Sequence, residues 1–253
     1  MKSIRKYALG AISACAISMA PMASQAGTIQ LGFILDSSGS IGSTDYGTIV
    51  TGLSNAINSV IPVGGTDVYE ISIVTFASSA RLDVANYVVD SVAARSALAT
   101  TVAGLTYLGG GTVFGTAFDL MTSTLQNTIG GATASYVNFA TDGVQADPAA
   151  GLVARNNMIT AGIDNISIEG IGGGVDATDL QTNYCYPGPC DTTAPYDFAA
   201  RGFYIAVADA AGYAAAIGEK IAIVTGRVPE PGTLALVGLA LGGLGFLRRR
   251  KED

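Results

Sequence analysis

Apolar residues follow two rhythms along this chain. Short, near-continuous runs rich in Val, Ile, Phe and Tyr occur at Ile29–Leu35, Val68–Phe76, Tyr136–Ala140, Ile163–Ile168 and Phe203–Ala208. Their length and β-branched content predict buried strands. A further segment, Leu82–Val88, predicts a strand paired as a hairpin with the second. Between these runs the period changes. Tyr46, Ile49, Val50, Leu53, Ile57 and Val60 share one face of a 3.6-residue helix. Phe114, Phe118, Met121 and Leu125 repeat that spacing, as do Tyr213, Ile217, Ile221 and Val224. Strands alternating with amphipathic helices predict an α/β fold, a mostly parallel central sheet with helices on both faces. In such sheets ligands sit beyond the carboxyl ends of the strands, so chemistry is expected in the segments that directly follow them.

The two ends break the alternation. Lys2, Arg5 and Lys6 precede the apolar stretch Ala8–Ala20, and Ser24-Gln25-Ala26 supplies small residues for cleavage, so residues 1–26 read as a secretory signal peptide. Ile12-Ser13-Ala14-Cys15 leaves a lipid-modified Cys15 as the alternative. At the other end, Pro229-Glu230-Pro231 precedes an apolar run, Thr233–Leu247, and then Arg248-Arg249-Arg250-Lys251. That run spans about 22 Å as a helix, against about 30 Å of bilayer hydrocarbon. It is short for a permanent anchor, and the basic cluster behind it is expected to stay cytoplasmic, leaving the body outside. These three elements in this order resemble the PEP-CTERM sorting signal. The resemblance implies export in a Gram-negative bacterium, transient retention in the inner membrane by the C-terminal helix, and processing by an exosortase. It also implies a final location at the cell surface, in the periplasm or in an extracellular, biofilm-type matrix. A plain tail anchor over residues 229–253 predicts the same topology.

Residues 27–228 then form one domain. Over that span six basic residues face seventeen acidic ones, a balance that repels phosphate backbones and excludes nucleic acid as a partner. The 253-residue chain has no histidine, which removes the commonest general base and the Ser-His and Cys-His nucleophile pairs. No G-x-x-x-x-G-K-[ST] occurs, and Gly170-Ile171-Gly172 lacks the third glycine of a dinucleotide fingerprint.

The chemistry that remains lies after the strands. Asp36-Ser37-Ser38-Gly39-Ser40 follows the first strand, with side-chain oxygens at alternate positions and glycines that let the backbone curl. Gly109-Gly110-Gly111-Thr112 opens one helix, and Thr141-Asp142-Gly143 closes another strand. Hard oxygen donors suit Mg²⁺ or Mn²⁺ and disfavour zinc. Taken singly, each motif also reads as a turn or a helix cap.

Together they resemble the von Willebrand factor A domain and its metal-ion-dependent adhesion site. The D-x-S-x-S element falls on Asp36, Ser38 and Ser40, the lone threonine on Thr112, and the T-D-G aspartate on Asp142. The likeness spans residues 28–226. It implies a Rossmann-like fold in which Ser38, Ser40 and Thr112 bind the cation through their hydroxyls, with Asp36 and Asp142 acting directly or through water. It also implies adhesion rather than catalysis, through a protein partner that offers a carboxylate to the ion. A structural role in a polysaccharide matrix, with a merely stabilising ion, and a metal-dependent hydrolase are the alternatives. Two features depart from the family pattern: polar Asn138 within a predicted strand, and the Gly172-Gly173-Gly174 and Cys185 region, which reads as an insertion. Cys185 and Cys190 bracket Tyr-Pro-Gly-Pro, and in an exported chain they are expected to form a disulfide. Tyr184, Tyr186, Pro187 and Tyr196 are candidates for an exposed contact surface.

Overall fold

A computed structural model describes residues 27–226. The expected leader (1–26), the PEP motif, the apolar helix over 233–247 and the basic tail lie outside those residues. Among the described residues no helix is long and apolar enough to cross a membrane.

Six strands form one sheet: β1 (Thr28–Asp36), β2 (Val68–Phe76), β3 (Ala80–Val89), β4 (Ala132–Thr141), β5 (Asn165–Ile171) and β6 (Tyr204–Val207). The order is β3-β2-β1-β4-β5-β6. β3 runs antiparallel to β2 as the second half of a hairpin, and every other pairing is parallel. From β1 the chain moves outward through β2 and β3, then returns to place β4 on the other side of β1. The strand order therefore reverses between β1 and β4, and the carboxyl ends of these two neighbours flank the crevice where α/β folds gather ligands.

Helices cover both faces. α1 (Gly42–Val60), α2 (Val92–Ala103) and the final helix pack on one side, and α3 (Phe114–Gln126) and α4 (Pro148–Thr160) on the other. A single turn, α5 (Ala177–Asp179), continues into a π-type turn (Leu180–Tyr184) before β6 and the final helix α6 (Ala210–Val224). Alternate residues of β1 show why the strands are apolar throughout. Leu31, Phe33 and Leu35 enter the core beneath α1, whereas Ile34 enters the core beneath α3. The apolar stripes expected on α1, α3 and α6 are the faces these helices bury. Gly52 lets α1 and α6 cross closely, since a Cβ there would lie 2.9 Å from the Ala214 Cα.

Helices α2 and α4 are additions to the periodicity reading. Each buries only three residues, Leu98, Ala99 and Val102 in one and Gly151, Ala154 and Met158 in the other, so neither shows a broad apolar stripe. β5 begins two residues later than expected and continues through Gly170 and Ile171. The expected insertion is not a surface appendage. Leu180, Tyr184 and Cys185 enter the core beneath α3 and α4, where the Tyr184 ring meets Phe114 and Phe118. Tyr184 is fully buried, so it is not part of an exposed contact surface. Cys185 and Cys190 are disulfide-bonded.

Asn138 has a structural explanation. It belongs to a buried polar group beneath α6 that includes Glu169 of β5 and Lys220 of α6, whose Nζ and Oε1 are 3.1 Å apart. The Lys220 ammonium also lies over the Phe203 ring. Burial pushes the Glu169 carboxyl up and lowers Lys220 to about 8, with the partner's charge opposing each shift.

Candidate metal centre

β1 delivers Asp36 to the carboxyl edge of the sheet, and β4, its parallel neighbour, ends at Thr141. Asp36 is buried and fully engaged. Its Oδ1 accepts the Ser38 N–H at 2.8 Å, and its Oδ2 accepts the Thr141 hydroxyl at 2.6 Å. The first contact folds the Asp-x-Ser turn back on itself, and the second ties the two strand ends together. Ser38 and Ser40 then lie on one side of the turn, their hydroxyl oxygens 3.0 Å apart. The Ser40 hydroxyl donates to Asp142 Oδ1 at 2.7 Å across 102 residues of chain.

Thr112 completes the group. A Cβ placed on Gly143 would lie 3.4 Å from Thr112 Oγ1 and 3.6 Å from Ser40 Oγ, so all three meet around that glycine. The helix-cap reading of Thr112 does not apply. The N-cap of α3 is Val113, without a side-chain cap. The first turn of α1 likewise takes no side-chain cap, as its N-cap is Ile41. All five sequence candidates thus converge from three loops onto the end of the β1–β4 seam.

The loops are held by their own backbones. The Gly39 N–H donates to Gly110 C=O at 2.8 Å and the Gly109 N–H to Ser37 C=O at 2.9 Å, which locks the serine turn against the glycine run. The Ala146 N–H donates to Thr112 C=O at 2.8 Å, joining the third loop to the second. Gly110 takes φ +112, a conformation that disfavours side chains, and a Cβ there would meet Ser78 Oγ at 2.7 Å. Sequence reasoning missed three supporting groups. The Ser37 hydroxyl accepts the Leu108 N–H, the Tyr107 hydroxyl donates to Ser38 C=O at 3.0 Å, and the Ser78 hydroxyl accepts the Gly111 N–H. None carries a local signal, because each acts on a loop far away in sequence.

Electrostatically the site is under-compensated. Burial raises the Asp36 carboxyl, against the hydrogen bonds from Ser38 and Thr141. Burial also raises Asp142, with the nearby Asp45 charge adding to the shift. Among the described residues no basic side chain bonds either carboxylate, whose partners are hydroxyls and backbone N–H groups. Two carboxylates held without a cation favour a positive guest. Among the described residues no group of three or more His, Cys, Asp or Glu is placed to hold a metal, so an ion here would depend largely on hydroxyls.

The fold and this loop constellation define an α/β class of domain in which a ligand sits at the topological switch. Comparison with known proteins makes the class specific. Residues 30–200 match the family model of the von Willebrand factor type A domain, and the chain belongs to that family. Residues 227–251 match the PEP-CTERM protein-sorting motif, which marks an exported protein with a C-terminal sorting signal. Among solved structures, the chain is similar to proximal thread matrix protein 1 of the mussel byssus, at 16% identity and TM-score 0.56, covering 79% of this chain and 46% of that one. A von Willebrand factor type A protein from Catenulispora acidiphila matches at 20% identity and TM-score 0.61, covering 79% and 43%. The manganese-loaded TRAP protein of Plasmodium vivax matches at 21% identity and TM-score 0.53, covering 77% and 73%. The chain thus spans less than half the length of the byssus and Catenulispora proteins. The byssus protein is also known with a zinc-occupied MIDAS motif, MIDAS being the metal-ion-dependent adhesion site. No curated protein matches the chain.

Proposed function

We propose that this protein is an exported binding module whose von Willebrand factor A domain grips a partner through a divalent cation. The observation that carries the reading is the hydroxyl relay Ser38–Ser40–Asp142, joined by Thr112, at the seam where the strand order reverses. Residues 1–26 would be removed on export, residues 27–228 would form the domain, and residues 229–253 would serve as a sorting tail handled by an exosortase.

The donor set fits Mg²⁺ or Mn²⁺. Ser38, Ser40 and Thr112 offer hydroxyl oxygens, and of the two candidate carboxylates Asp142 is more accessible than Asp36. Asp36, with both oxygens already bonded, orients the serine turn and adds negative charge from behind. A bound divalent ion supplies Lewis acidity that neutral hydroxyls leave largely unquenched. Ser38, Ser40 and Thr112 would hold the ion through their hydroxyls, and Asp142 would partly balance its charge. The charge left over would favour a carboxylate from a partner over water. Similarity to the zinc-occupied byssus protein and the manganese-loaded TRAP protein supports a divalent cation at this position without choosing between metals.

Adhesion is favoured over catalysis by the chemistry of the surroundings. Histidine is absent, and Asp142 is already committed to Ser40. The test is a thermal melt of the purified full chain in Mg²⁺, Mn²⁺, Zn²⁺ or Ca²⁺, repeated in excess chelator. At a cation concentration 100-fold above Kd, stabilisation should reach about 2.7 kcal/mol, or roughly 5–10 °C in Tm for a domain of this size. A chain whose Tm ignores every cation would defeat the reading. A pull-down from surface extracts, with and without chelator, then separates metal-dependent adhesion from simple stiffening.

A further inference from the structure

A cleft of about 270 Å³ lies at the amino edge of the sheet, opposite the metal-site loops. Its walls include Thr133 and Tyr136 of β4, Asp164 and Asn165 at the head of β5, and Pro187 and Phe198 from the segment between β5 and β6. Thr133 and Thr141 are eight residues apart on β4, so about 26 Å of strand separates the two ends. Nothing in the metal chemistry uses this cleft.

Its walls combine aromatic surface with uncommitted polar groups. The Tyr136 and Phe198 rings meet edge to face at 4.7 Å, and both side chains are half-buried. Asp164 Oδ2 accepts the Ser135 N–H at 2.8 Å, while Oδ1 takes no hydrogen bond among the described residues. The Tyr136 hydroxyl likewise has no hydrogen-bond partner among them, and burial together with the Asp164 charge keeps it protonated. Asn165, by contrast, is spent, donating to Arg201 C=O and accepting from the Ser167 hydroxyl. The cleft therefore offers an acceptor, a donor-acceptor hydroxyl and an aromatic wall.

A narrow apolar recess of about 20 Å³ shares Tyr136, Asn165 and Phe198 with this cleft as walls. It runs under α6 between Leu31, Phe33 and Ile221. That space suits one methyl group or one water.

We propose that this cleft binds an uncharged saccharide ring, with the recess taking a small apolar substituent such as an acetyl methyl. A sugar ring has a C–H face that packs on an aromatic wall and a rim of hydroxyls that both donate and accept. Asp164 Oδ1 accepts from ring hydroxyls, and the Tyr136 hydroxyl can serve either way. A hexuronate is disfavoured because its carboxylate would face Asp164. An organic ammonium would use the rings and Asp164, but it has no acceptor for the Tyr136 hydroxyl to serve. A bound sugar also gives a role to the segment around Pro187 and Phe198, which no metal-site residue requires.

The experiment is saturation-transfer NMR on the full chain in detergent, against neutral hexoses, N-acetylhexosamines, hexuronates and tetramethylammonium, with chelator present throughout. Neutral sugars should give transfer at millimolar concentration, N-acetylhexosamines more strongly than hexoses, and hexuronates none. Asp164→Asn should weaken binding about tenfold. Phe198→Leu should weaken it about three- to tenfold, and Tyr136→Phe tests the hydroxyl while keeping the ring. Each variant is scored only after its far-UV spectrum and Tm match the parent, and Tyr136→Phe serves if the others fail that check. Because chelator is present, failure of the metal site leaves this outcome unchanged. Absence of sugar transfer at tens of millimolar would overturn the proposal. So would transfer untouched by all three substitutions, or tetramethylammonium bound in preference to every sugar.

Discussion

Asp36 carries two separable jobs, and a conservative substitution distinguishes them. In Asp36→Asn the side-chain oxygen can still accept the Ser38 N–H, and the amide can donate to Thr141 Oγ1, so the strand tie survives. The charge is lost. Burial raises the Asp36 carboxyl, so the fold disfavours its ionised form. The metal-free Tm of Asp36→Asn is therefore expected to equal or exceed that of the parent, while the cation-induced rise in Tm disappears. Paired melts with and without Mg²⁺ check both halves. Asp36→Ala would lose the charge and both hydrogen bonds, leaving buried donors unpaired at a cost of about 1–3 kcal/mol.

Glu169 and Lys220 pose a different problem at the same scale, since both are fully buried beneath α6. Removing one strands the other. Lys220→Met alone is expected to cost about 3–5 kcal/mol, whereas Glu169→Gln with Lys220→Met should recover most of that loss, as measured by urea unfolding. The pair also shapes the pH dependence. A carboxyl raised by the fold holds its proton longer folded than unfolded, so stability falls as pH climbs from 4.5 through its raised range. A lysine lowered to about 8 sheds its proton earlier when folded, so stability is regained between about 8 and 10.5. The difference between parent and double variant should show both limbs, and a flat difference would contradict the assignment.

Elements explain where pattern reading succeeded. β1, β2, α1, α3 and α6 bury long apolar faces, so their periodicity is dictated by the core they join. α2 and α4 bury only three residues each, and their signals were start signals instead. Ser91 caps Ala94, and Asp147 caps Ala150 with Pro148 at the head of the helix. Those residues were legible, but an apolar-period reading does not weigh them. The α1–α6 crossing gives an element-scale test. Gly52→Val would drive a side chain into the Ala214 backbone and is expected to cost about 1–3 kcal/mol. Gly47 lies in the same helix, and a Cβ there would meet nothing within 4 Å, so Gly47→Ala should stabilise by about 0.5–1 kcal/mol. Chemical denaturation of the two variants separates close packing from helix propensity.

At the scale of the whole molecule, the metal-site loops and the saccharide cleft occupy opposite edges of one sheet. A partner held by the ion would therefore leave the cleft free. The sorting signal adds a molecular prediction. Protein recovered from outside the cell should have an intact mass lacking residues 1–26 and the segment after the PEP motif, whereas cells without exosortase should retain the tail.

The sequence by itself determined the local facts. Strand and helix rhythms, the oxygen-rich turns, the lack of histidine, the acidic body and the sorting signal are properties of neighbouring residues or of composition, and they survive without knowledge of the fold. Convergence was decided only in three dimensions. Asp36 and Asp142 come to the same end of one seam because β4 returns beside β1, and Tyr107, Ser37 and Ser78 reach the site through loops that backbone hydrogen bonds clasp together. The segment after β5 read as an insertion, its few apolar residues sharing no period, yet Leu180 and Tyr184 join the core beneath α3 and α4. Which side chains meet depends on strand order and close packing, and both are set by contacts between residues far apart along the chain.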